Sequence, residues 1–157
     1  MPRRLTAVLA LTSLSAMLLL LSACDSTGKI SNPISNPLES IAGDWTVDQI
    51  GGQDVAGMLP AGARLPNLTI GRDGSVNGFG GVNRFTSSLN LDKLTEGVFD
   101  LSPAAATRMA GPPEAMAVES SLFEAIGNTT GFGLDGDRMH LKRDDSTLVQ
   151  LRRSAGG

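Results

Sequence analysis

Between residues 41 and 153 the apolar side chains fall into short alternating runs, separated by turns that contain glycine and aspartate. Trp45 and Val47 alternate in the first run, which ends at the turn signal Gly51-Gly52. The dipeptide Asp73-Gly74 separates two later runs and supplies the positive φ that a tight hairpin requires. Short runs with one polar face predict antiparallel strands.

One segment has the period of a helix instead. It begins after Pro112-Pro113, carries Glu114 in its first turn and ends near Gly127. Its apolar residues recur at helical spacing and are Ala115, Val118, Leu122, Ala125 and Ile126. We therefore predict an α+β domain, with an antiparallel, open or half-closed sheet of about seven strands and one packed helix.

Three local expectations accompany this prediction. Residues 85–91 and 97–101 alternate and are predicted as strands, whereas residues 54–66 contain two prolines and are predicted as an irregular connection. Met109 and Met116 flank the start of the helix. They are compatible with a lipid-accepting groove, but filling a gap in the core is the commoner use of methionine.

The N-terminus has the pattern of an export signal. Arg3 and Arg4 precede the apolar run Leu5–Leu21, and Leu21-Ser22-Ala23-Cys24 follows at once. The tetrad resembles the lipobox of bacterial lipoproteins, in which the cysteine receives a diacylglyceryl group and the peptide is cut just before it. An uncleaved membrane helix and ordinary secretion with a free thiol are the competing interpretations.

We accordingly expect a signal peptide at residues 1–23 and lipidation at Cys24, which makes the lone cysteine a membrane anchor. Residues 24–40 contain Ile-Ser-Asn-Pro twice and are predicted as a tether. Residues 41–153 would form the folded domain and residues 154–157 a short tail. The expected location is the bacterial cell envelope, facing the periplasm. Asp25 resembles an inner-membrane retention signal, and the choice of membrane stays open.

The charge balance argues against nucleic acid as a partner. The net charge is −3, and removal of Arg3 and Arg4 would leave 11 basic against 16 acidic residues without a long run of either sign. Neutralising phosphates requires a clustered basic surface. No cofactor is expected.

The usual reactive motifs are also missing from the sequence. Gly78-Phe79-Gly80-Gly81 lacks the lysine and the helix that a phosphate-binding loop requires, so we interpret it as a tight corner of the sheet. The sequence contains no Gly-x-Ser-x-Gly motif whose serine His140 could activate as a nucleophile. The acidic pairs Asp135-Gly136-Asp137 and Asp144-Asp145 lack calcium-loop spacing and are typical of turns. No metal site and no catalytic residue is therefore predicted.

Several segments together resemble the META domain, also called the HslJ-like family. They are the Gly-x-Trp strand at Gly43, the Asp-Gly hairpin, Gly81-Val82-Asn83-Arg84-Phe85, Ala106-Thr107-Arg108-Met109-Ala110, a glutamate-containing helix with Leu122-Phe123, and a final strand through Met139-His140-Leu141. The resemblance implies the same sheet-plus-helix fold, a role in the bacterial envelope associated with heat shock, and no established enzymatic activity.

Members of that family commonly carry cysteine at two positions where this chain has Val82 and Gly111. If those cysteines pair where they occur, a bond closing a loop of about 29 residues would contribute roughly 3–4 kcal/mol by chain entropy. The joint absence of both cysteines fits the loss of a structural bond as a unit. It argues against thiol chemistry at this place.

The candidate motif in this chain is Asn83, Arg84, Thr107 and Arg108. In a structural interpretation, which we favour, Asn83 satisfies backbone groups at a corner and the arginines bond neighbouring carbonyls or carboxylates. In a functional interpretation, two arginines converge on an anionic ligand or a partner carboxylate.

The sequence thus predicts a lipid-anchored envelope protein whose domain binds an envelope component or a protein as part of stress response or envelope maintenance. An inhibitor or pilot-type chaperone of a secreted partner is the related alternative. A hydrolase that uses carboxylates such as Asp44, Glu96 or Asp135 is the alternative from another class, and it requires two carboxylates roughly 5–9 Å apart in a cleft.

Overall fold

The computed structural model describes residues 36–154. The predicted signal peptide, Cys24 and the tether up to residue 35 lie outside the described residues, as do residues 155–157. The elements in chain order are α1 Pro37–Ile41, β1 Gly43–Ile50, β2 Gln53–Asp54, α2 Val55–Met58, β3 Asn67–Ile70, β4 Ser75–Phe79, β5 Arg84–Ser88, α3 Leu91–Thr95, β6 Ala105–Ala106, α4 Pro113–Gly127, β7 Gly131–Asp135, β8 Arg138–Arg143 and β9 Ser146–Arg153.

The strands form one open antiparallel sheet in the order β6-β5-β4-β3-β1-β9-β8-β7, and β2 pairs with β1 beside this path. Strand β1 therefore joins two meanders, β3 to β6 on one side and β9 to β7 on the other. The predicted α+β class is confirmed. The described residues contain nine strands rather than about seven, in part because β2 and β6 have only two residues each and are too short to show alternation.

The predicted helix is α4, which packs its apolar face on the sheet. Ala115, Val118 and Leu122 are buried on it. The ring of Phe123 meets the ring of Phe85 on β5 edge-on, with 5.1 Å between the ring centroids. The helical and strand periods read from the sequence therefore place the core between α4 and the inner face of the sheet.

Residues 37–40, which the sequence assigned to the tether, belong to helix α1. Asn36 caps this helix by accepting a hydrogen bond from the backbone N–H of Glu39, and the proline at position 37 suits the first helical turn. Arg153 donates to the carbonyls of Ser40 and Ala42 at 3.0 Å each. The folded body thus includes these residues because a side chain from the last strand holds their backbone.

The strand predicted at 97–101 is absent from the described part of the chain, where Leu101 forms only an isolated bridge with Leu89. Gly97 has a φ of +84° and ends the turn after α3. Phe99 is nevertheless fully buried and packs on Phe132. The alternation of apolar residues at 97–101 therefore reflects the burial of side chains and not the pairing of a strand. The predicted strand through residue 91 also ends early, because Asn90 caps α3.

The two methionines expected in the core are both exposed. Met109 is 58% exposed and Met116 is 44% exposed. Alpha-helical spacing explains Met116, since it lies about 100° around α4 from the buried Ala115. Among residues 36–154, no helix combines the length and the apolar character needed to cross a membrane.

Candidate functional site

The glycine-rich corner between β4 and β5 is shaped by what packs against it. A Cβ added to Gly78 would lie 2.5 Å from the ring of Phe85. A Cβ on Gly80 would lie 2.8 Å from Cγ of Glu119, and one on Gly81 would lie 2.7 Å from a carbonyl oxygen of α4. Glycine therefore occupies these positions because Phe85 and α4 approach the backbone too closely for a side chain.

Asn83 is the only buried polar residue in the described part of the chain, at 7% exposure. Its Oδ1 accepts hydrogen bonds from the backbone N–H of Met109 at 2.7 Å and from the hydroxyl of Thr107 at 2.9 Å. Its Nδ2 donates to the carbonyl of Met109 at 3.3 Å and to Oε1 of Glu119 at 2.7 Å. All four hydrogen-bonding positions of this amide are thus occupied. We call Asn83, Thr107, Met109 and Glu119 the Asn83 hub.

Glu119 supplies the negative charge of the hub. Its Oε2 accepts the backbone N–H groups of Asn83 at 2.6 Å and of Val82 at 3.0 Å. Burial alone would raise the pKa of this carboxyl, but the hydrogen bonds from Asn83 and Val82 outweigh burial and hold the pKa below its ordinary value. The two N–H groups of the corner therefore do bind an oxyanion, and that oxyanion belongs to the chain itself.

Sequence reasoning missed Glu119 as a site residue, although a signal was present. On the helical wheel it follows Ala115 by four residues and precedes Leu122 and Phe123 by three and four. A carboxylate at that position lies within the apolar face of α4. A charge within a buried face requires hydrogen-bond partners, and here the corner provides them.

The four residues of the candidate motif divide into two pairs. Asn83 and Thr107 belong to the hub, where the Thr107 hydroxyl also accepts the backbone N–H of Arg84 at 3.2 Å. Arg84 and Arg108 are both exposed. Neither guanidinium makes a hydrogen bond or an ion pair within residues 36–154. The bonds to carbonyls or carboxylates that the structural interpretation foresaw for the arginines are thus not among the described contacts.

The two family-cysteine positions lie side by side. A Cβ placed on Gly111 would be 3.3 Å from Cβ of Val82. Disulfides usually join Cβ atoms about 3.5–4.5 Å apart, so a small relaxation would accommodate a bond here. In this chain the methyl groups of Val82 take up that space.

A second polar feature lies on the outer face of the sheet, opposite α4. A cleft of about 240 Å³ contains Arg64, Asn67, Phe79 and Arg84, with Thr69, Asn77 and Thr86 along its floor. We call this the arginine cleft. Arg84 thus shares a cleft with Arg64, an arginine that the sequence analysis had not selected.

A larger cavity of about 400 Å³ opens between the end of α4 and residues 99–106. Its walls are mainly apolar, with Phe85, Phe99 and Phe123 among them. Asp100 is the one charged side chain in its lining, and it forms an ion pair with Lys93 at 3.2 Å. This cavity therefore offers no free charged group that would orient a ligand.

The three carboxylates of the hydrolase alternative lie on separate elements. Asp44 is on β1 and accepts the hydroxyl of Thr69, Glu96 follows α3, and Asp135 ends β7. Over the described range, no three histidine, cysteine, aspartate or glutamate side chains group together as a metal site requires. His140 is half-buried on β8.

Comparison with known proteins agrees with this architecture. A family model described as the META domain matches residues 37–155, so the match begins at the first residue of α1. A structure described as the NMR structure of the protein from Burkholderia xenovorans is similar, with a TM-score of 0.56 and 24% sequence identity over 77% of this chain and 90% of that chain. That likeness shows a shared fold. No curated protein matches the chain.

Proposed function

Since the chain belongs to the META domain family, we propose that it is a lipid-anchored protein of the bacterial cell envelope whose META domain is a binding module and not an enzyme. The observation that carries this proposal is the polar, largely exposed outer face of β3, β4 and β5. Helix α4 packs on the opposite face, so it leaves this surface accessible to a partner.

The outer face is polar and regular. The strand register aligns Asn67, Phe79 and Arg84 in one row and Thr69, Asn77 and Thr86 in the next. Thr69, Asn77, Arg84 and Thr86 are exposed, while Asn67 and Phe79 are half-buried. Hydroxyl, amide and guanidinium groups on a rigid sheet suit recognition of a polar partner by hydrogen bonding.

The hydrogen bonding of the Asn83 hub argues against catalysis by this domain. The Asn83 hub uses its carboxylate and its amide for hydrogen bonds within the chain. A carboxylate with a lowered pKa is ionised at neutral pH and is a poor general acid. Asp44, Glu96 and Asp135 are dispersed over three elements, which does not favour the hydrolase alternative.

The anchor rests on the sequence around Cys24. Residues 25–36 would connect the lipidated cysteine to α1 and, even fully extended, would span at most on the order of 40 Å. This distance allows the domain to reach partners near the membrane surface. Asp25 resembles an inner-membrane retention signal, so attachment to the inner membrane is a prediction from the sequence.

Radiolabelled palmitate tests the anchor. The wild-type chain should incorporate label and should fractionate with membranes, whereas the Cys24→Ser variant should do neither. Incorporation of palmitate by the variant would contradict the proposed lipidation.

A photo-crosslinking residue tests the binding face in intact cells. Placed at Asn77 on the outer face, it should give a discrete crosslinked species. The control position is Arg143, an exposed residue that ends β8, and it should give none. Equal crosslinking from the two positions would show that contact is random and would contradict binding by the outer face.

A further inference from the structure

The arginine cleft contains two guanidinium groups, and neither forms an ion pair with an acidic side chain of residues 36–154. Within residues 36–154 the ion pairs are Lys93–Asp100 and Arg152–Asp48, and neither involves Arg64 or Arg84. The chain as a whole has a net charge of −3. Among the described residues, the one carboxylate bonded to a lining residue is Asp44, through Thr69. Two guanidinium groups outweigh this single negative charge, so the cleft has a local excess of positive charge that attracts an anion.

Arg64 is held in position before any ligand arrives. With the Asn67 amide oriented so that its oxygen faces the guanidinium, this oxygen accepts hydrogen bonds from Nη2 of Arg64 at 2.7 Å and from Nε at 3.3 Å. The guanidinium carbon also lies 5.0 Å from the ring centroid of Phe79, within the range of a cation–π contact. A side chain that is already ordered loses less conformational entropy on binding.

Arg84 reaches the same cleft from the neighbouring strand. The register places it directly opposite Phe79, so the two Cβ atoms are separated by about 5 Å. Its backbone is fixed on the other side by Thr107, which donates its N–H to the Arg84 carbonyl at 3.0 Å. The guanidinium retains its donors for a ligand, because no described residue accepts from it.

The floor of the cleft can bind hydroxyl groups. Asn77 and Thr86 are cross-strand partners and are exposed. Their side chains form no hydrogen bond with any described residue, which leaves amide and hydroxyl groups available. Thr69, the third floor residue, already donates its hydroxyl to Asp44 at 2.6 Å and retains acceptor capacity.

The volume limits the size of the ligand. Sites for drug-sized molecules begin at roughly 300 Å³, and the arginine cleft has about 240 Å³. One small unit therefore fills it. Two guanidinium groups select an oxyanion, and the amide and hydroxyl floor selects hydroxyl groups on the same unit.

From this geometry we propose that the arginine cleft binds a single acidic sugar unit, with its carboxylate or phosphate group between Arg64 and Arg84 and its hydroxyl groups over Asn77 and Thr86. The inference rests on the proposed function, because it names the ligand class of the outer face. Both guanidinium groups are on the surface, so the affinity is weak and falls as salt concentration rises.

The test is an NMR titration of the full chain purified in detergent with glucuronate, glucose 6-phosphate and glucose. The two acidic sugars should shift the backbone amide signals of Thr69, Asn77 and Thr86, and neutral glucose should shift them at least about fivefold less at equal concentration. The acidic sugar that binds more tightly identifies carboxylate or phosphate as the natural group. Equal shifts from glucose and both acids would overturn the proposal.

Variants locate the binding in the cleft. Arg64→Ala and Arg84→Ala should each raise the dissociation constant at least about fivefold, and Arg143→Ala, which removes an exposed arginine outside the cleft, should leave it unchanged. Asn77→Asp keeps the shape of the floor but adds a negative charge, so it should abolish binding of the acids. Wild-type affinity in both Arg64→Ala and Arg84→Ala would overturn the proposal.

Failure of this inference and failure of the proposed function would give different experimental results. If palmitate enters through Cys24 and Asn77 crosslinks a partner while neither acidic sugar binds, the binding module stands and the sugar inference is wrong. If acidic sugars bind in the cleft while palmitate does not enter, the sugar inference stands and the anchor is wrong.

Discussion

Asn83 and Arg84 are neighbours in the chain, yet the polar groups of their side chains have different surroundings. The Asn83 side chain is buried and its four hydrogen bonds are all made within the chain. The Arg84 guanidinium is exposed and makes none with the described residues. Asn83 lies at the corner just before β5 and Arg84 is the first residue of that strand. One step in sequence therefore separates a structural hub from the proposed binding surface.

The difference shows how to separate the two roles experimentally. A buried group whose partners are all internal should affect stability when it is removed, because its partners lose hydrogen bonds that water replaces only in part. An exposed group without internal partners should affect ligand binding and leave stability nearly unchanged. The following substitutions, ordered from the largest expected effect to the smallest, test this separation.

Asn83→Ala should give the largest loss of stability. The substitution removes the side-chain hydrogen bonds that Asn83 makes with Met109, Thr107 and Glu119, and we expect the free energy of unfolding to fall by about 2–4 kcal/mol. Urea denaturation measures this change. The control is Asn77→Ala, an exposed asparagine on β4, which should cost less than about 0.5 kcal/mol. Equal losses in the two variants would contradict the hub.

The double variant Val82→Cys/Gly111→Cys should gain stability. Oxidation should close a loop of about 29 residues and raise the free energy of unfolding by roughly 2–4 kcal/mol, a gain that reducing agent should reverse. A Cys24→Ser background excludes the native thiol, and Val82→Cys alone serves as the control. Persistence of both free thiols after oxidation would contradict the observed proximity of these positions.

Glu119→Gln should lower the free energy of unfolding at neutral pH by about 1–3 kcal/mol, because the charged acceptor of two backbone N–H groups is lost. The folded-state pKa of Glu119 lies below its ordinary value of 4.5, so its contribution is complete above that pH and is lost as the pH falls through the folded pKa.

The stability difference between Glu119→Gln and wild type should accordingly shrink on acidification below about pH 4.5. Denaturation curves at several pH values measure it. Glu124→Gln, which alters an exposed glutamate of the same helix, is the control and should show little effect at any pH. A pH-independent difference for Glu119→Gln would contradict the role of the carboxylate charge.

Arg84→Ala should have the smallest effect on stability, within about 0.5 kcal/mol of wild type. Arg153→Ala is the matched comparison, since Arg153 stacks 4.3 Å from the Trp45 ring centroid and donates to two carbonyls around α1. That variant should lose about 1–2 kcal/mol by thermal or urea unfolding. A loss for Arg84→Ala as large as that for Arg153→Ala would assign Arg84 to the structural framework.

Much of the fold was accessible from sequence, and the exceptions have physical reasons. The helical period after Pro113 predicted α4, and the Asp73-Gly74 turn predicted the β3–β4 hairpin, because both signals are local. Residues 97–101 misled the prediction, since alternation reports which side chains are buried and not whether the backbone forms a ladder. Helix α1 was missed because part of its support comes from Arg153, more than 100 residues away.

The candidate site divides in the same way. Asn83 and its place at a sharp corner were predicted from the glycines around it. Glu119, which completes the hub, was not selected, because a carboxylate on a helix is ordinary until a corner of the sheet is packed against it. Arg64 was not selected either, since its place beside Arg84 depends on the pairing of β4 with both β3 and β5.

The sequence by itself determined the helical period of α4, the alternation of the longer strands, the Asp73-Gly74 turn and the META family pattern, because these depend on residues close together in the chain. Only the tertiary structure decided which polar groups meet. It brings Glu119 to the Asn83 corner, places Val82 beside Gly111 and brings Arg64 and Arg84 to one cleft. Charge and hydrogen-bond partnership depend on distances between elements, and those distances are set by the packing of the whole domain.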